Sequence, residues 1–441
     1  MLSHRPKVLH ELAGRPLLQH VYDAARALAP ARVVVVYGHG GELVRQRCSQ
    51  IKAHWVEQPQ QLGSGHAVRQ ALPHIPEQDL VLVLCGDVPL ITAATLERLI
   101  AAAGDSGFGL LTVTLDNPSG YGRILRDAQR EVIGIVEERD ATPEQRMIKE
   151  INTGLMAVSV RWLREWLGRV GNDNAQGEYY LTDIVAVAVA DGHSVSTVSP
   201  DSEVEVRGVN DRAQLAELES HFRARQARSL MLQGLALIDP ARFDCRGELT
   251  FGTDCVVDIN VILEGAVRFG NGVRVGANTV IRDSELGDDV VILPNCIIED
   301  SSISRRSQVG PFARLRPQTK LHEDVRIGNF VEIKKSDIAS GTKINHLSYV
   351  GDTQVGKNVN IGAGTIVCNY DGANKHRTVI GDGVFVGSDT QLVAPVLVGE
   401  GATIGAGTTV TKDVPPGVLA ISRTPQSTIP SWQRPQKKKE K

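Results

Sequence analysis

Residues 309–333 read VGPFARLRPQTKLHEDVRIGNFVEI, with an aliphatic residue at every sixth position: Val309, Leu315, Leu321, Ile327 and Ile333. After two single-residue slips the series runs again through Ile380, Val386, Leu392, Val398, Ile404 and Val410, and glycine follows the aliphatic at 310, 328, 381, 387, 399 and 405. A six-residue unit is too short for the helix pairs of an α-solenoid and for a leucine-rich repeat. It fits a parallel β-helix in which each hexad makes one short flat face and three faces complete a coil. The repeated aliphatic points inward, and the small residue beside it permits the tight corner.

The pattern resembles the hexapeptide-repeat left-handed β-helix, whose hand is the recognised exception to right-handed crossovers. It breaks once. From Val367 to Ile380 the chain spans thirteen residues, one more than two hexads, so the coil must extrude a loop. Asn369, Tyr370, Asp371, Asn374, Lys375, His376 and Arg377 are expected to lie outside the core. The loop reads as a surface insertion or, with His346, Tyr349 and Asn360 on nearby coils, as part of a site.

Up to about Asn210 the chain has another character. Arg32 to Tyr37 (RVVVVY) and Asp79 to Cys85 (DLVLVLC) are aliphatic without polar interruption, as expected of parallel strands covered on both faces of a layered α/β sheet. Pro16 to Leu28 and Ile91 to Ala103 have helical spacing, with Thr92 as N-cap of the second. Asp211 to Met231 carries Leu215, Leu218, Phe222 and Leu230 at helical spacing and reads as a linking helix. The boundaries expected are 1–212 for the α/β domain, 213–233 for the linker helix, and 234–441 for the repeat domain with a disordered basic tail.

The 441 residues exceed one typical core, which favours two or three domains. Lys plus Arg is 48 against 51 for Asp plus Glu, a net charge of -3, which gives no broad basic field for nucleic acid. The basic run Lys437-Lys438-Lys439 reads as a solvated tail. Six cysteines, at 48, 85, 245, 255, 296 and 368, lack the close pairs of a zinc or redox site. No apolar run approaches the roughly 20 residues of a membrane span, and no signal peptide is evident. A cytoplasmic protein with reduced thiols is expected, with neither nucleic acid nor membrane as partner.

LCGDVPL puts Asp87 just past the carboxyl end of a strand, where open α/β sheets bind ligands, and a carboxylate there suits a hard cation. Gly-Asp also makes ordinary turns, so this residue alone reads as a turn or a site.

Several segments, in order, decide between those readings: QLGSGHA, GDVPL, GYGRI, NAQGEYYLTDI, NIGAGT, NYDGANK and VFVGSDTQLVAPV. With the repeat half attached, the chain resembles the bifunctional N-acetylglucosamine-1-phosphate uridylyltransferase and glucosamine-1-phosphate acetyltransferase family of bacterial envelope synthesis. That resemblance implies a Rossmann-like nucleotidyltransferase domain followed by the left-handed β-helix, and synthesis of UDP-N-acetylglucosamine from glucosamine-1-phosphate, acetyl-CoA and UTP. It implies Mg2+ on Asp87 and Asn210, Lys7 against phosphate charge, and Gln58, Gly63 and Ser64 on the nucleotide. Gly122, Glu137 and Asn152 would bind the sugar, with Cys85 and Gly86 beside them; the family often has tyrosine at the position of Cys85 and threonine at that of Ser64. In the repeat half, the resemblance of INHLSYVGD to the family motif implies His346 as the general base, a role an imidazole suits because it titrates in the useful range. Arg316 and Lys334 would grip the sugar phosphate, and Tyr349, Asn360, Asn369 and Tyr370 would position substrate or cofactor. Ala363, Ser388, Ala406 and Arg423 would line a coenzyme A channel. The resemblance also implies a homotrimer with sites between neighbouring β-helices.

The family opens with a strand and a glycine-rich phosphate loop ending in Gly-Thr-Arg-Met, whereas this chain begins at about that methionine. Weak uridylyl transfer, and a sheet lacking a central strand, are therefore expected of the chain as it stands; the alternative, which the intact downstream motifs favour, is a true start further upstream. The alternative from another class is a non-catalytic regulatory subunit built on the same two modules.

Overall fold

A computed structural model describes Met1 and residues 3–38, 40–104, 106–423 and 425–435; the basic run at 437–439 lies outside the described residues. The chain forms two compact units, Met1–Phe222 and Arg223–Lys441, and the helix Arg212–Leu232 contains the boundary. Among the described residues no helix is long and apolar enough to cross a membrane.

The first unit is built on the strand Glu150–Ser159. One edge pairs antiparallel with Phe108–Thr114, and the other takes Leu80–Val83 at one end and Arg123–Arg126 at the other. Ser196–Val198 and Val132–Val136 complete a six-stranded sheet. Of the two strands expected to be parallel, one is and one is not. Leu80–Val83 pairs antiparallel, Leu80 with Ser159 through Val83 with Met156. Val34–Tyr37 is parallel, but only to His54–Glu57, in a separate two-stranded sheet. All four residues of Val34–Tyr37 are half-buried, because a strand with an unpaired edge keeps access to water along that edge. Val34, Val36, Val81 and Val83 nonetheless pack against one core, and Val35 and Leu82 against two others on the opposite side. The helix Ala93–Ala103 starts where expected: the Thr92 side chain accepts from Thr95 N at 3.2 Å, satisfying an amide that has no intrahelical partner.

The second unit is a left-handed parallel β-helix. Val309, Ile327, Ile344, Ile361, Val386 and Ile404 stand in register from coil to coil, so three hexads make one turn of the superhelix. These residues, with Leu315, Leu321 and Ile333, are at most 3% exposed and share one continuous core. Inward aliphatics stack over copies of themselves, which fills a narrow prism without voids. Corners need close backbone approach. A Cβ on Gly328 would sit 1.9 Å from the Asn345 carbonyl oxygen of the next coil, so no other residue fits. Buried hydroxyls satisfy corner groups outside the ladders: Thr342 Oγ1 donates to the Gly356 carbonyl at 2.7 Å and accepts from Val359 N at 3.1 Å.

The interruption is larger than a count of hexads suggests. Val350 to Val355 turns a corner in five residues, whereas the next coil takes thirteen from Val367 to Ile380 and still returns to register, Val355 level with Ile380. A corner, not a face, carries the insertion.

Truncating one rung of the inward stack is expected to be expensive. Ile333→Ala removes a fully buried side chain and should destabilise the β-helix by about 2–5 kcal/mol, read as a lower urea midpoint of that unit; an unchanged midpoint would show that the stack does not carry its stability.

Candidate functional site

In the first unit, Lys7, Asp87 and Asn210 converge. Lys7 Nζ lies 2.5 Å from Asp87 Oδ2 and donates to Asn210 Oδ1 at 2.9 Å. Asp87 follows the strand Leu80–Val83, and its carbonyl accepts from Val209 N at 3.1 Å, which ties the two oxygen donors to one place. Both oxygens thus face a single cation, an ammonium here, and such hard donors suit a divalent metal equally. No group of three or more His, Cys, Asp or Glu side chains that could hold a metal occurs among the described residues, so any metal here would complete its shell with substrate oxygens or water.

Gln58, Gly63 and Ser64 form a second group. Gln58 Nε2 donates to the Gly63 carbonyl at 3.2 Å, and Ser64 Oγ accepts from Leu181 N at 3.1 Å. Gly63 has φ +106°, and a Cβ there would lie 2.6 Å from the Tyr179 carbonyl oxygen. Only glycine can pass so close.

Gly122, Glu137 and Asn152 form the third. A Cβ on Gly122 would meet the Glu137 carboxylate at 3.2 Å, and the Gly122 carbonyl accepts from Asn152 N at 2.9 Å. Burial pushes the Glu137 carboxyl up from its ordinary value, against a hydrogen bond from Thr182 at 3.0 Å. Cys85 is beside them, its thiol pushed up to about 12 by burial and by the Asp87 charge, which makes it an unreactive wall. Gly86 leaves room for Val8 and Leu18, each 3.4 Å from where its Cβ would be. Thr182 and Asp183 escaped the sequence reading. Both lie within the quoted segment NAQGEYYLTDI, and the Asp183 carboxyl is raised by burial and by the charges of Glu137 and Asp140.

In the second unit the expected residues fall into two groups. His346, Ala363, Ser388 and Ala406 each stand two residues past the register-paired series Ile344, Ile361, Val386 and Ile404, so they form one column down a corner. Arg423 Nε closes it by donating to the Ala406 carbonyl at 3.0 Å. At about 4.8 Å per coil, His346 and Ala406 are about 14 Å apart along the column. Above His346 stands Asn329, absent from the sequence reading, whose Oδ1 is 2.8 Å from His346 Nδ1.

The other group gathers at the far end of the adjoining face. Leu315 pairs with Ile333, which stacks Arg316 over Lys334, and Lys334 is level with Gly351. Arg316 is ion-paired to Glu332 at 2.8 Å. The Lys375 ammonium, from the extruded loop, pushes the Lys334 amine below its ordinary value. Lys375, expected only as a residue of the extruded loop, is therefore a third cation of this group. Asn369 is buried, not outside the core as expected: its Nδ2 donates to Asp352 Oδ2 at 2.5 Å and contacts the Tyr349 hydroxyl at 3.4 Å. Gly351 makes this possible, since a Cβ there would lie 2.4 Å from that hydroxyl. Tyr370 is exposed, with its hydroxyl on the Gly372 carbonyl, and bridges Lys375 across the loop. Asp371 holds the loop's shape by accepting from Asn374 N, Ala373 N and His376, contacts that keep its carboxyl well below the usual range. Asn360 stands level with Lys343 and Phe385, three residues short of the histidine column.

No hydrogen bond or ion pair joins the histidine column to the cation group among the described residues. Beside His346, however, runs an unusual ridge. Phe312, Phe330 and Leu347 all have positive φ, 55°, 57° and 49°, and each is more than half exposed, with the two rings stacked 5.5 Å apart. Bulky residues seldom adopt that conformation, and an exposed apolar ridge marks a contact surface.

Comparison with known proteins bears on both units. A profile of MobA-like NTP transferase domains matches residues 2–159, and a profile of GMPPB C-terminal domains matches residues 297–398. The chain is 58% identical over 439 residues to the bifunctional protein GlmU of Azoarcus sp., covering 100% of this chain and 97% of that protein. It is 56% identical to the proteins of the same name from Methylococcus capsulatus and Nitrosospira multiformis, covering 99% of this chain and 95% of each relative. Nothing among these relatives favours a non-catalytic regulatory subunit. With identity of this order sustained through both units, the chain belongs to the GlmU family of bifunctional enzymes.

Proposed function

We propose that the chain makes UDP-N-acetylglucosamine by two transfers, one in each unit. The β-helix moves an acetyl group from acetyl-CoA to glucosamine-1-phosphate, and the α/β unit moves a uridylyl group from UTP to the N-acetylglucosamine-1-phosphate so formed. The observation that carries this reading is the match to bifunctional relatives through both units, each of which holds its own polar cluster.

In acetyl transfer, His346 takes the proton that the sugar amine sheds as its nitrogen bonds to the thioester carbonyl carbon. The carbon–sulfur bond then breaks, and the sulfur leaves as the thiol of coenzyme A with a proton returned to it. Arg316, Lys334 and Lys375 hold the sugar phosphate. Two adjacent ammonium groups repel one another, and a phosphate dianion between them turns that cost into binding. The small residues Ala363, Ser388 and Ala406 leave a groove along which the pantetheine arm lies, with Arg423 at its end for a coenzyme phosphate. A homotrimer completes the site: the ridge Phe312, Phe330 and Leu347 beside His346 receives a neighbouring chain, and the imidazole of one chain works with groups of another.

In uridylyl transfer, Asp87 and Asn210 would hold Mg2+, which would supply charge neutralisation on the phosphate oxygens. Lys7 neutralises phosphate charge from the same point. Gln58, Gly63 and Ser64 take the nucleotide, while Gly122, Glu137 and Asn152 take the sugar, with Cys85 and Gly86 as the floor. Six free cysteines and two intracellular co-substrates support a cytoplasmic location.

Two substitutions separate the activities. His346→Ala should lower kcat for glucosamine-1-phosphate-dependent release of coenzyme A by about a hundredfold or more, with the trimer in sedimentation and uridylyl transfer unchanged; wild-type turnover would refute the base assignment. Asp87→Asn should abolish the Mg2+ dependence of pyrophosphate release and leave acetyl transfer intact. Undiminished Mg2+-dependent release would place the metal elsewhere.

A further inference from the structure

The faces that end near His346 are built from strands of two residues, as in Gln308–Val309, Asn360–Ile361, Phe385–Val386 and Thr403–Ile404. Two strands of that sheet are four residues long, Arg326–Asn329 and Lys343–His346, and the added register pair is Asn329 with His346. The extension depends on Gly328, which lets the Asn345 carbonyl approach where any side chain would collide. Here alone on that sheet the ladder continues straight into the corner, and it carries Asn329 Oδ1 to 2.8 Å from His346 Nδ1.

An amide oxygen only accepts, so the ring nitrogen facing it carries the proton. The neutral imidazole then has its Nδ1–H on Asn329 and keeps its lone pair on Nε2. From this we infer that Asn329 is the positioning residue for His346, fixing both the tautomer and the ring rotation that a base at Nε2 requires. The inference rests on the reading of His346 as the base. Its surroundings leave Asn329 as the partner that decides the tautomer. Arg326 above and Lys343 on the same strand face one another at the far end of the two strands, about 10 Å off. The strand below brings Asn360 and then Ala363, Tyr349 begins the next face, and none of these hydrogen-bonds the imidazole.

The test uses the full chain and steady-state acetyl transfer followed through free thiol. Asn329→Ala is expected to lower kcat about tenfold to a hundredfold with KM for glucosamine-1-phosphate and acetyl-CoA unchanged, as a role exerted through the imidazole alone requires. Asn329→Asp keeps the acceptor in place and should restore kcat on the alkaline side. Its carboxylate favours the imidazolium, so the acid limb of the kcat/KM profile should move up by about one pH unit. A generalised packing defect in the alanine variant would not be rescued by aspartate, nor would it move that limb. Wild-type kcat in Asn329→Ala, or an unmoved limb in Asn329→Asp, overturns the positioning role while an inactive His346→Ala leaves the base assignment standing. Wild-type turnover in His346→Ala overturns both.

Discussion

The constraint on which the second unit depends is that each coil must lie at ladder distance above the last while its inward aliphatics meet copies of themselves. That requirement fixes the rise, so a residue on one coil has its neighbours above and below determined by register alone. Residues far apart in sequence become a straight line. His346, Ala363, Ser388 and Ala406 form such a line, and so do Arg316 and Lys334. The same geometry explains why small residues recur at corners, where the backbone of the next coil occupies the volume a side chain would need.

The first unit obeys a looser rule. Its spine strand Glu150–Ser159 is shared by three partners, and the residues proposed for phosphate, nucleotide and sugar are spread over several elements, with Lys7 on a 3-10 turn, Ser64 at the start of a helix and Asn152 on the spine strand itself. Each group is kept in place by a glycine that allows close contact or by a backbone hydrogen bond, as at Gly63 against Tyr179 and Asp87 against Val209. The charge bookkeeping is local. Lys7 balances Asp87, and the burial that raises Glu137 is only partly opposed by the hydroxyl of Thr182.

Legibility in the sequence followed the strength of periodicity. The six-residue series from Val309 to Ile333 located the inward face of the β-helix, because a buried stack tolerates no polar substitution at those positions. In the α/β unit the runs Arg32 to Tyr37 and Asp79 to Cys85 marked strands without telling their partners. An aliphatic run looks the same whether its strand is parallel or antiparallel, and Leu80–Val83 proved antiparallel. The expected site residues were legible as motifs, but not their grouping, which depends on register. Asn329 had no local signal at all. It matters because it stands one coil above His346, and only the register of two lengthened strands reveals that. Lys375 was visible as a loop residue, but not its place beside Lys334, because the loop that delivers it follows a path no period describes.

The eight residues gained between Val367 and Ile380 leave the coils on either side in step. A corner can therefore grow or shrink without any change to the prism beneath it, as a balcony can be rebuilt without moving the floors of a tower. Substrate preference in such an architecture can drift through the outgrowth while the load of folding stays with the stack. The cation contributed by that outgrowth is the member of the cation group most open to evolutionary exchange.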